Sequence, residues 1–271
     1  MKVSKRKVLK LAAALSLLLM MYLALNKFHN TRCDSIDIVI KDSLEAHFVE
    51  SNEVLDLIYS VIPNIQGYKM DSINIFVLKN KLQEHPFIRS VAIYKTISGK
   101  LKIDVVQRHP LVMVINNEGK SYYIDGDGII FPTSDKYSSQ VIVANGFIKD
   151  KFDFSDGKIY KADYKEGISG KTTYDIFRLS QLILKDDFWR DQIEQIFVNS
   201  SGEYELVPML GSQILSIGSM EDYDKKMYIL KEFYFKGLKK TGWNTYSRIS
   251  VKYKDQIVCK KRSANNNKDI L

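Results

Sequence analysis

The chain contains few of the residues from which disulfide frameworks and metal sites are built. Its 271 residues include two cysteines, Cys33 and Cys259, which stand far apart in the sequence. One such pair does not make a disulfide framework, and its spacing fits no zinc site. We therefore expect both thiols to remain free. With 45% hydrophobic residues, the chain is long enough for one large core or two smaller ones.

The four histidines also lack the spacing of ligands or catalytic bases. His29, His47, His85 and His109 form no i, i+4 pair, and no Cys or Glu stands near them at ligand spacing. His85 and His109 each precede a proline, which is typical of a boundary between elements. We predict no catalytic residue, no cofactor-binding residue and no metal site.

Charge is nearly absent from residues 8–25, where only Lys10, Ser16 and Tyr22 carry polar groups. At about 1.5 Å rise per residue, a helix over this run is long enough for a hydrocarbon layer of about 30 Å. Lys10 stands near one end, where its long side chain reaches the headgroups. The run therefore predicts a single transmembrane helix.

The charges that flank this run differ between its two sides. Five basic residues and no acid stand at or before Lys10, whereas Lys27 and Arg32 are mixed with acids on the other side. The positive-inside rule then leaves residues 1–7 as a cytoplasmic tail and exports the remainder. A buried core helix is the alternative, but it does not explain the one-sided basic flank.

Cleavage signals are missing as well. No small-x-small site follows Met20, so the run does not match a cleaved signal peptide. Asn30, Thr31 and Arg32 precede Cys33, and they are not the small apolar residues of a lipoprotein site. We expect the helix to remain as an anchor.

The net charge of +8 does not predict nucleic-acid binding. Five of the charges lie in the first ten residues, where topology and contact with anionic lipid explain them. Other lysines lie within residues 225–240, interleaved with Glu221, Asp222, Asp224 and Glu232. Such mixing is typical of a solvated helix face.

Residues 35–107 predict the order β-α-α-β-β. Strands are predicted at residues 35–40, 88–95 and 100–107, with a turn at 96–99; one helix spans 52–61 after a Ser51 cap, and the other spans 73–84. The predicted buried faces are Val54, Leu55, Ile58 and Ile62 on the first helix, Ile73, Phe76, Val77 and Leu82 on the second, and Leu101, Ile103 and Val105 on the last strand. This order predicts two helices packed on a small sheet.

Beyond Pro110 the pattern changes to strands and turns. Strands are predicted at residues 111–115, 121–124, 129–131, 192–199, 204–207 and 213–217, helices at 172–185 and 220–240, and an extended segment at 246–259 with a break at Asp255. Residues 263–271 are polar and rich in asparagine, and we expect them to be disordered. The fold class is therefore α+β, with a mainly antiparallel β domain that carries two helices.

Two sets of residues carry a resemblance to a known family. His85-Pro86-Phe87-Ile88 and the closing residues 105–110 resemble a POTRA domain of the FtsQ/DivIB type. Residues 122–128, 205–208, the lysine-rich helix after Gly218 and residues 246–253 are similar to the β domain of that family. The resemblance implies a POTRA domain at residues 34–109 and an FtsQ-type β domain at 110–262.

Three short motifs resemble parts of calcium-binding, nucleotide-binding or penicillin-binding sites, but the residues around each motif do not match the full site. Residues 125–128 begin like a calcium loop, yet Lys136 stands where the bidentate glutamate belongs, so we predict a turn. Gly170-Lys171-Thr172 lacks the first glycine of a P-loop. Ser155 with Lys158, and residues 240–242, match two motifs of penicillin-binding enzymes. The third motif, S-x-N, belongs between them, but here it occurs earlier, at residues 72–74.

Two other functions remain as alternatives. One is a wall-modifying acyl transferase that uses Ser155 and Lys158. The other is a POTRA-containing envelope assembly factor, although the residues after Pro110 predict two helices and too few strands for a membrane barrel.

The last strand candidate offers a binding surface. Arg248, Ser250, Lys252 and Lys254 alternate with Ile249, Val251 and Tyr253, as in a half-buried strand. A strand at the end of a chain is often a sheet edge, which is able to accept a strand of another chain. The residues alone favour an ordinary edge guarded by lysines.

The resemblance implies instead that an FtsB-like partner binds this strand, through Arg248, Ser250, Val251, Lys252 and Tyr253. It further implies a non-enzymatic divisome scaffold in the inner membrane at the septum. This scaffold would recruit FtsB-like, FtsL-like and other membrane proteins of division, would help to regulate septal peptidoglycan synthesis, and would use no small-molecule substrate. We expect Tyr253→Ala, or a proline at Val251, to abolish partner capture without unfolding the protein.

Overall fold

The computed structural model describes residue 10 and residues 12–22, 31–41, 47–163 and 170–262. The chain divides into two compact units, with the boundary between Arg108 and His109. The predicted cytoplasmic tail at residues 1–7 and the predicted polar tail at 263–271 lie outside the described residues.

The predicted anchor is described in part. Residue 10 and residues 12–22 are helical, and the large apolar side chains from Leu15 to Met21 are exposed. Among the residues that the structure describes, no helix is both long enough and apolar enough to cross a membrane.

The first unit packs two helices on a three-stranded sheet. Its elements are β1 (Ser35–Lys41), α1 (Ser51–Val61), α2 (Ile75–Gln83), β2 (Ile88–Lys95) and β3 (Lys100–Gln107), with a 3₁₀ turn at Met70–Ser72. The strand order is β1-β3-β2, with β1 parallel and β2 antiparallel to β3. Leu101, Ile103 and Val105 on the central strand are fully buried. The predicted β-α-α-β-β order and the buried face of β3 are confirmed.

Both helices of this unit begin differently from the prediction. The N-cap of α1 is Glu50 rather than Ser51, because Glu50 and Glu53 form a reciprocal capping box. The N-cap of α2 is Asn74, whose Oδ1 accepts from the amides of Phe76 and Val77 at 3.0 and 3.3 Å. Helix α2 therefore starts two residues later than predicted.

The later start changes which face of α2 is buried. Leu78 and Leu82 pack into the core, whereas Phe76 is 68% exposed and Val77 is also exposed. Ile73 is buried, but it lies before the helix. The predicted face was wrong at Phe76 and Val77, because both belong to the first turn, which the Asn74 cap directs away from the core.

The second unit is built on one large sheet. Its strands are β4 (Pro110–Ile115), β5 (Ser121–Asp125), β6 (Ile129–Pro132), β7 (Ile142–Gly146), β8 (Tyr160–Lys161), β9 (Ile193–Val198), β10 (Tyr204–Pro208), β11 (Ile214–Gly218), β12 (Tyr246–Ser250) and β13 (Val258–Lys261). Within the described residues their order is β13-β12-β11-β10-β9-β7-β4-β5-β6-β8. Only the pairs β4–β7, β7–β9 and β11–β12 are parallel there. A mostly antiparallel sheet was predicted and is confirmed.

Helices cover this sheet with apolar side chains. They are α3 (Lys171–Lys185), α4 (Asp187–Arg190), α5 (Tyr223–Phe233), a π-helical turn (Tyr234–Leu238) and α6 (Lys239–Thr241). Ile176, Leu179 and Ile183 of α3 are fully buried in the same core as Met227 and Leu230 of α5. The two predicted helices are thus present, although the second is divided by the π-helical turn.

Polar contacts fix the start of α3 beside the sheet. Asp150 Oδ2 accepts hydrogen bonds from the amide and hydroxyl of Thr173 at 2.7 and 2.8 Å. Two residues later, the Tyr204 hydroxyl donates to Asp175 at 2.9 Å. Burial raises the pKa of Tyr204 above its ordinary value, so this hydroxyl stays protonated and remains a donor.

Candidate partner-binding edge

Strand β12 contains two of the five predicted partner-binding residues, Arg248 and Ser250, but it is an inner strand. It pairs in parallel with β11, where Arg248 lies opposite Ile214, and antiparallel with β13, where Ile249 lies opposite Cys259. The prediction that this strand forms the sheet edge was therefore wrong. Within the described part of the chain, the edge on this side is β13.

The chain turns between these two strands, within the extended segment that was predicted at residues 246–259 with a break at Asp255. Strand β12 ends at Ser250, and β13 begins at Val258. Asp255 lies in the turn with φ of 56°, a left-handed conformation that interrupts extended backbone. The predicted break at Asp255 is confirmed. The polar and apolar alternation nevertheless continues past Ser250, and for that reason the sequence suggested a longer strand.

Val251 belongs to the core of the second unit. Its side chain is 2% exposed, and its amide donates to the Ser216 carbonyl at 2.9 Å. Ser250 is also buried, opposite Val258. Neither side chain is presented on the surface of the unit.

Arg248 and Lys252 form ion pairs with two acids of β10, the strand beyond β11: Glu205 lies on β10, and Glu203 directly precedes it. Arg248 Nη1 lies 2.6 Å from Glu205 Oε1, and Glu205 is largely buried. Lys252 Nζ lies 2.7 Å from Glu203 Oε1. Removal of Arg248 would leave a carboxylate without its cation inside the sheet, which makes Arg248 a structural residue first.

Tyr253 is the most exposed of the five predicted residues. Its side chain is 52% exposed, and Lys252 Nζ lies 5.5 Å from the centre of its ring. Together with Lys252, the ring lines a cleft of about 240 Å³ between the turn and the start of α5. The cleft therefore adjoins the turn that leads from β12 to β13.

Lysines and acids alternate around this cleft. Lys225 Nζ lies 2.6 Å from Asp255 Oδ1, a hydrogen bond that raises the pKa of Lys225 and lowers that of Asp255. Lys226 donates to the Ser219 carbonyl at 2.8 Å, and burial lowers its pKa. The Lys225 pair ties the turn to α5, so the cleft has a defined shape.

The backbone of β13 determines what the edge offers to a partner. The Lys260 carbonyl accepts from Ser247 Oγ at 3.3 Å, and the Arg262 amide donates to the Thr245 carbonyl at 3.0 Å. Because alternate residues of an antiparallel strand face the same neighbour, the backbone groups of Cys259 and Lys261 point away from β12. They are the groups to which a further strand would bind.

The side chains of β13 also suit an edge. Val258, Lys260 and Lys261 are exposed, while Cys259 packs against the core of the second unit. Burial raises the pKa of the Cys259 thiol, which keeps the thiol protonated and slow to react. Lysines on an edge strand discourage indiscriminate pairing. Sequence reasoning missed these residues, although the predicted break at Asp255 was the signal that a second strand follows.

The ion pair of Glu203 predicts a dependence of stability on pH. The hydrogen bond from Lys252 lowers the pKa of Glu203. A carboxylate with a depressed folded-state pKa stabilises the fold above its unfolded pKa of about 4.3, and this contribution is lost as the pH falls through the folded value. We expect Glu203→Gln to lose less unfolding free energy between pH 7 and pH 3 than the parent protein does.

Urea unfolding at the two pH values measures this difference. Glu194→Gln, on the exposed face of β9, is the matched control and should follow the parent protein. An identical loss in Glu203→Gln and the parent would show that the Lys252 pair contributes nothing.

The other predicted motifs occupy structural turns. Asp125 Oδ1 accepts from the amides of Asp127 and Ile129 at 2.9 and 2.8 Å, so the predicted turn is confirmed. Ser155 begins a three-residue 3₁₀ turn, whereas penicillin-binding enzymes place this serine at the start of a helix. Within the described ranges, no three His, Cys, Asp or Glu side chains are grouped for metal binding.

Two helices on a small sheet, followed by a large mostly antiparallel sheet, define a protein that joins a POTRA-like domain to a β domain. A family model for a POTRA-like domain matches residues 31–106. A second family model, described as FtsQ/DivIB, C-terminal related, matches residues 109–260, which is more than half of the chain. The chain belongs to the FtsQ/DivIB family, whose domains are scaffold-type folds with a role in cell division. A comparison with curated proteins finds no match.

Proposed function

We propose that this protein is a non-enzymatic scaffold of the division machinery, anchored in the inner membrane at the septum by residues 8–25. The apolar run and its one-sided basic flank support the anchor and a cytoplasmic N-terminus. Both domains, at residues 34–109 and 110–262, then lie in the periplasm. There the scaffold recruits FtsB-like and FtsL-like proteins and thereby helps to regulate septal peptidoglycan synthesis.

The binding mode that we propose is addition of a strand of the FtsB-like partner to β13. The observation that carries this proposal is the outward direction of the Cys259 and Lys261 backbone groups on the last strand of the sheet order. Main-chain hydrogen bonds would give affinity, and side-chain contacts would give specificity. Tyr253 lies in the turn that leads to β13, and the cleft that it lines could receive a partner side chain.

Tyr253→Ala is expected to weaken capture of the FtsB-like periplasmic segment about tenfold, as the loss of an exposed aromatic anchor does. The fold should persist, because the side chain is half exposed and outside the core. A pull-down with the immobilised segment measures the effect. Tyr228→Ala is the control, since Tyr228 is also an exposed tyrosine but lies on α5. Equal capture by both variants would show that Tyr253 does not contribute to the binding surface.

A further inference from the structure

The segment that follows the proposed anchor is fixed to one end of the first unit. Its backbone hydrogen bonds run from Met70 N to Thr31 O (2.9 Å), from Cys33 N to Tyr68 O (2.8 Å), from Gly67 N to Cys33 O (2.7 Å) and from Asp34 N to Gly99 O (2.8 Å). The chain is therefore held from residue 31 onward, between the loop at residues 65–70 and the turn at 96–99. These segments lie at the end of the sheet where β1 begins, because Ser35 is paired with Lys100.

Chain length limits how far this end can stand from the membrane. Six peptide steps separate Leu25, the end of the proposed anchor, from Thr31. At about 3.6 Å per residue when fully extended, they reach no more than about 22 Å. The headgroup region occupies roughly 5–8 Å of that distance. The end of the unit that carries Thr31 must therefore lie close to the lipid surface.

Apolar and aromatic side chains are exposed at this same end. Ile97, at the tip of the turn between β2 and β3, is 70% exposed, and Tyr68 is 46% exposed. Single exposed apolar residues are common on soluble proteins. These two flank the segment that enters from the proposed anchor, and an apolar side chain beside a tyrosine is the composition that favours a membrane interface.

Basic side chains surround them. Arg32, Lys69 and Lys100 are exposed and Lys95 is half-buried; among the residues that the structure describes, Asp34 and Asp71 are the acids closest to them in the sequence at this end. Arg32 Nη1 donates to the Gly67 carbonyl at 2.7 Å, which fixes the guanidinium over the loop. An excess of cations within a Debye length of about 8–10 Å is attracted to anionic headgroups.

We propose that this end of the first unit is a second membrane contact. It comprises Arg32, Tyr68, Lys69, Lys95, Ile97 and Lys100. Ile97 and Tyr68 enter the headgroup region, and the four cations bind anionic phospholipid. The contact fixes the tilt of the first unit on the bilayer. The inference rests on the proposed anchor, because chain length alone brings this end to the lipid.

A fluorophore at position 97 tests the contact in the full-length protein. The Ile97→Cys variant is made with Cys259→Ser and labelled, since Cys33 is buried. The protein is reconstituted into phosphatidylcholine vesicles with and without phosphatidylglycerol and with a lipid-attached quencher. The control is Gln83→Cys, which is exposed near the opposite end of the unit, shortly before Ile88 pairs with Gln107.

We expect quenching at position 97 to be at least about twofold greater than at position 83, and to rise with phosphatidylglycerol. Lys69→Glu combined with Lys100→Glu should abolish that rise, whereas Lys79→Glu on α2 should not. Equal quenching at both positions, in protein that floats with the vesicles, would overturn the contact but leave the anchor. Quenching at position 97 that appears only when a partner protein is added would assign the surface to that partner instead. If the protein does not float with the vesicles, the proposed membrane anchor is wrong, and this inference, which rests on it, is wrong as well.

Discussion

Replacing Lys261 by proline is expected to weaken capture of the FtsB-like segment about tenfold or more, while the second unit remains folded. The Lys261 amide points away from β12, so proline removes a donor that only an added strand uses. Its ring would also stand in the path of the incoming backbone. The Lys261 side chain is exposed, so no core contact is lost. One lost hydrogen bond together with the steric clash is sufficient for an effect of this size.

Lys261→Ala and Lys260→Pro are the controls for this variant. Lys261→Ala keeps the amide and should bind as the parent does. Lys260→Pro removes a group that faces β12, so it should lower the melting temperature as well as binding. Titration calorimetry with the partner segment and thermal unfolding measure the two effects separately. Unchanged affinity in folded Lys261→Pro would exclude strand addition at β13.

Proline at Val251 is expected to destabilise the second unit by about 3 kcal/mol or more, in contrast to what the sequence alone predicted. The substitution removes the hydrogen bond from the Val251 amide to the Ser216 carbonyl, which is 2.9 Å long. It also places a rigid ring where the valine is 2% exposed. Val251→Pro would therefore change folding and binding together, whereas Lys261→Pro is expected to change binding alone.

Thermal unfolding measures this cost directly. For a unit of this size, the melting temperature should fall by roughly 6 °C or more. Val251→Ala keeps the amide donor and should fall by less, because it loses only buried methyl groups. A Val251→Pro variant that melts like the parent but no longer captures the partner would show that Val251 is part of the binding surface.

The elements that could be predicted from the sequence are those set by local pattern. Leu101, Ile103 and Val105 alternate with polar residues, and this period of two places them on the buried face of β3 whatever the rest of the chain does. Ile176, Leu179 and Ile183 likewise define the buried face of α3.

The elements that the sequence did not reveal depend on contacts between distant residues. Strand β7 pairs in parallel with both β4 and β9, and nothing local marks such a partner. The same limit applied to β12, whose alternation looked like that of an edge strand. The start of α2 depended on the Asn74 cap, which competes with the apolar pattern around Ile73.

The contacts of the candidate partner-binding residues could not be predicted from the sequence. Arg248 and Lys252 look like free cations in the sequence, because Glu205 and Glu203 stand more than 40 residues away in the chain. Only the pairing of β12 with β11, and of β11 with β10, brings these charges together. Tyr253 keeps the exposure that a partner contact needs, whereas Val251 does not.

Amide hydrogen exchange at single residues of β13 tests the central claim most directly. In the free protein, the Cys259 and Lys261 amides should exchange quickly, and the Lys260 amide, which faces β12, should exchange slowly. Binding of the FtsB-like segment should slow exchange at Cys259 and Lys261 by about a hundredfold, with little change at Lys260. Binding that leaves the Cys259 and Lys261 amides exchanging at their free rates would contradict strand addition at this edge.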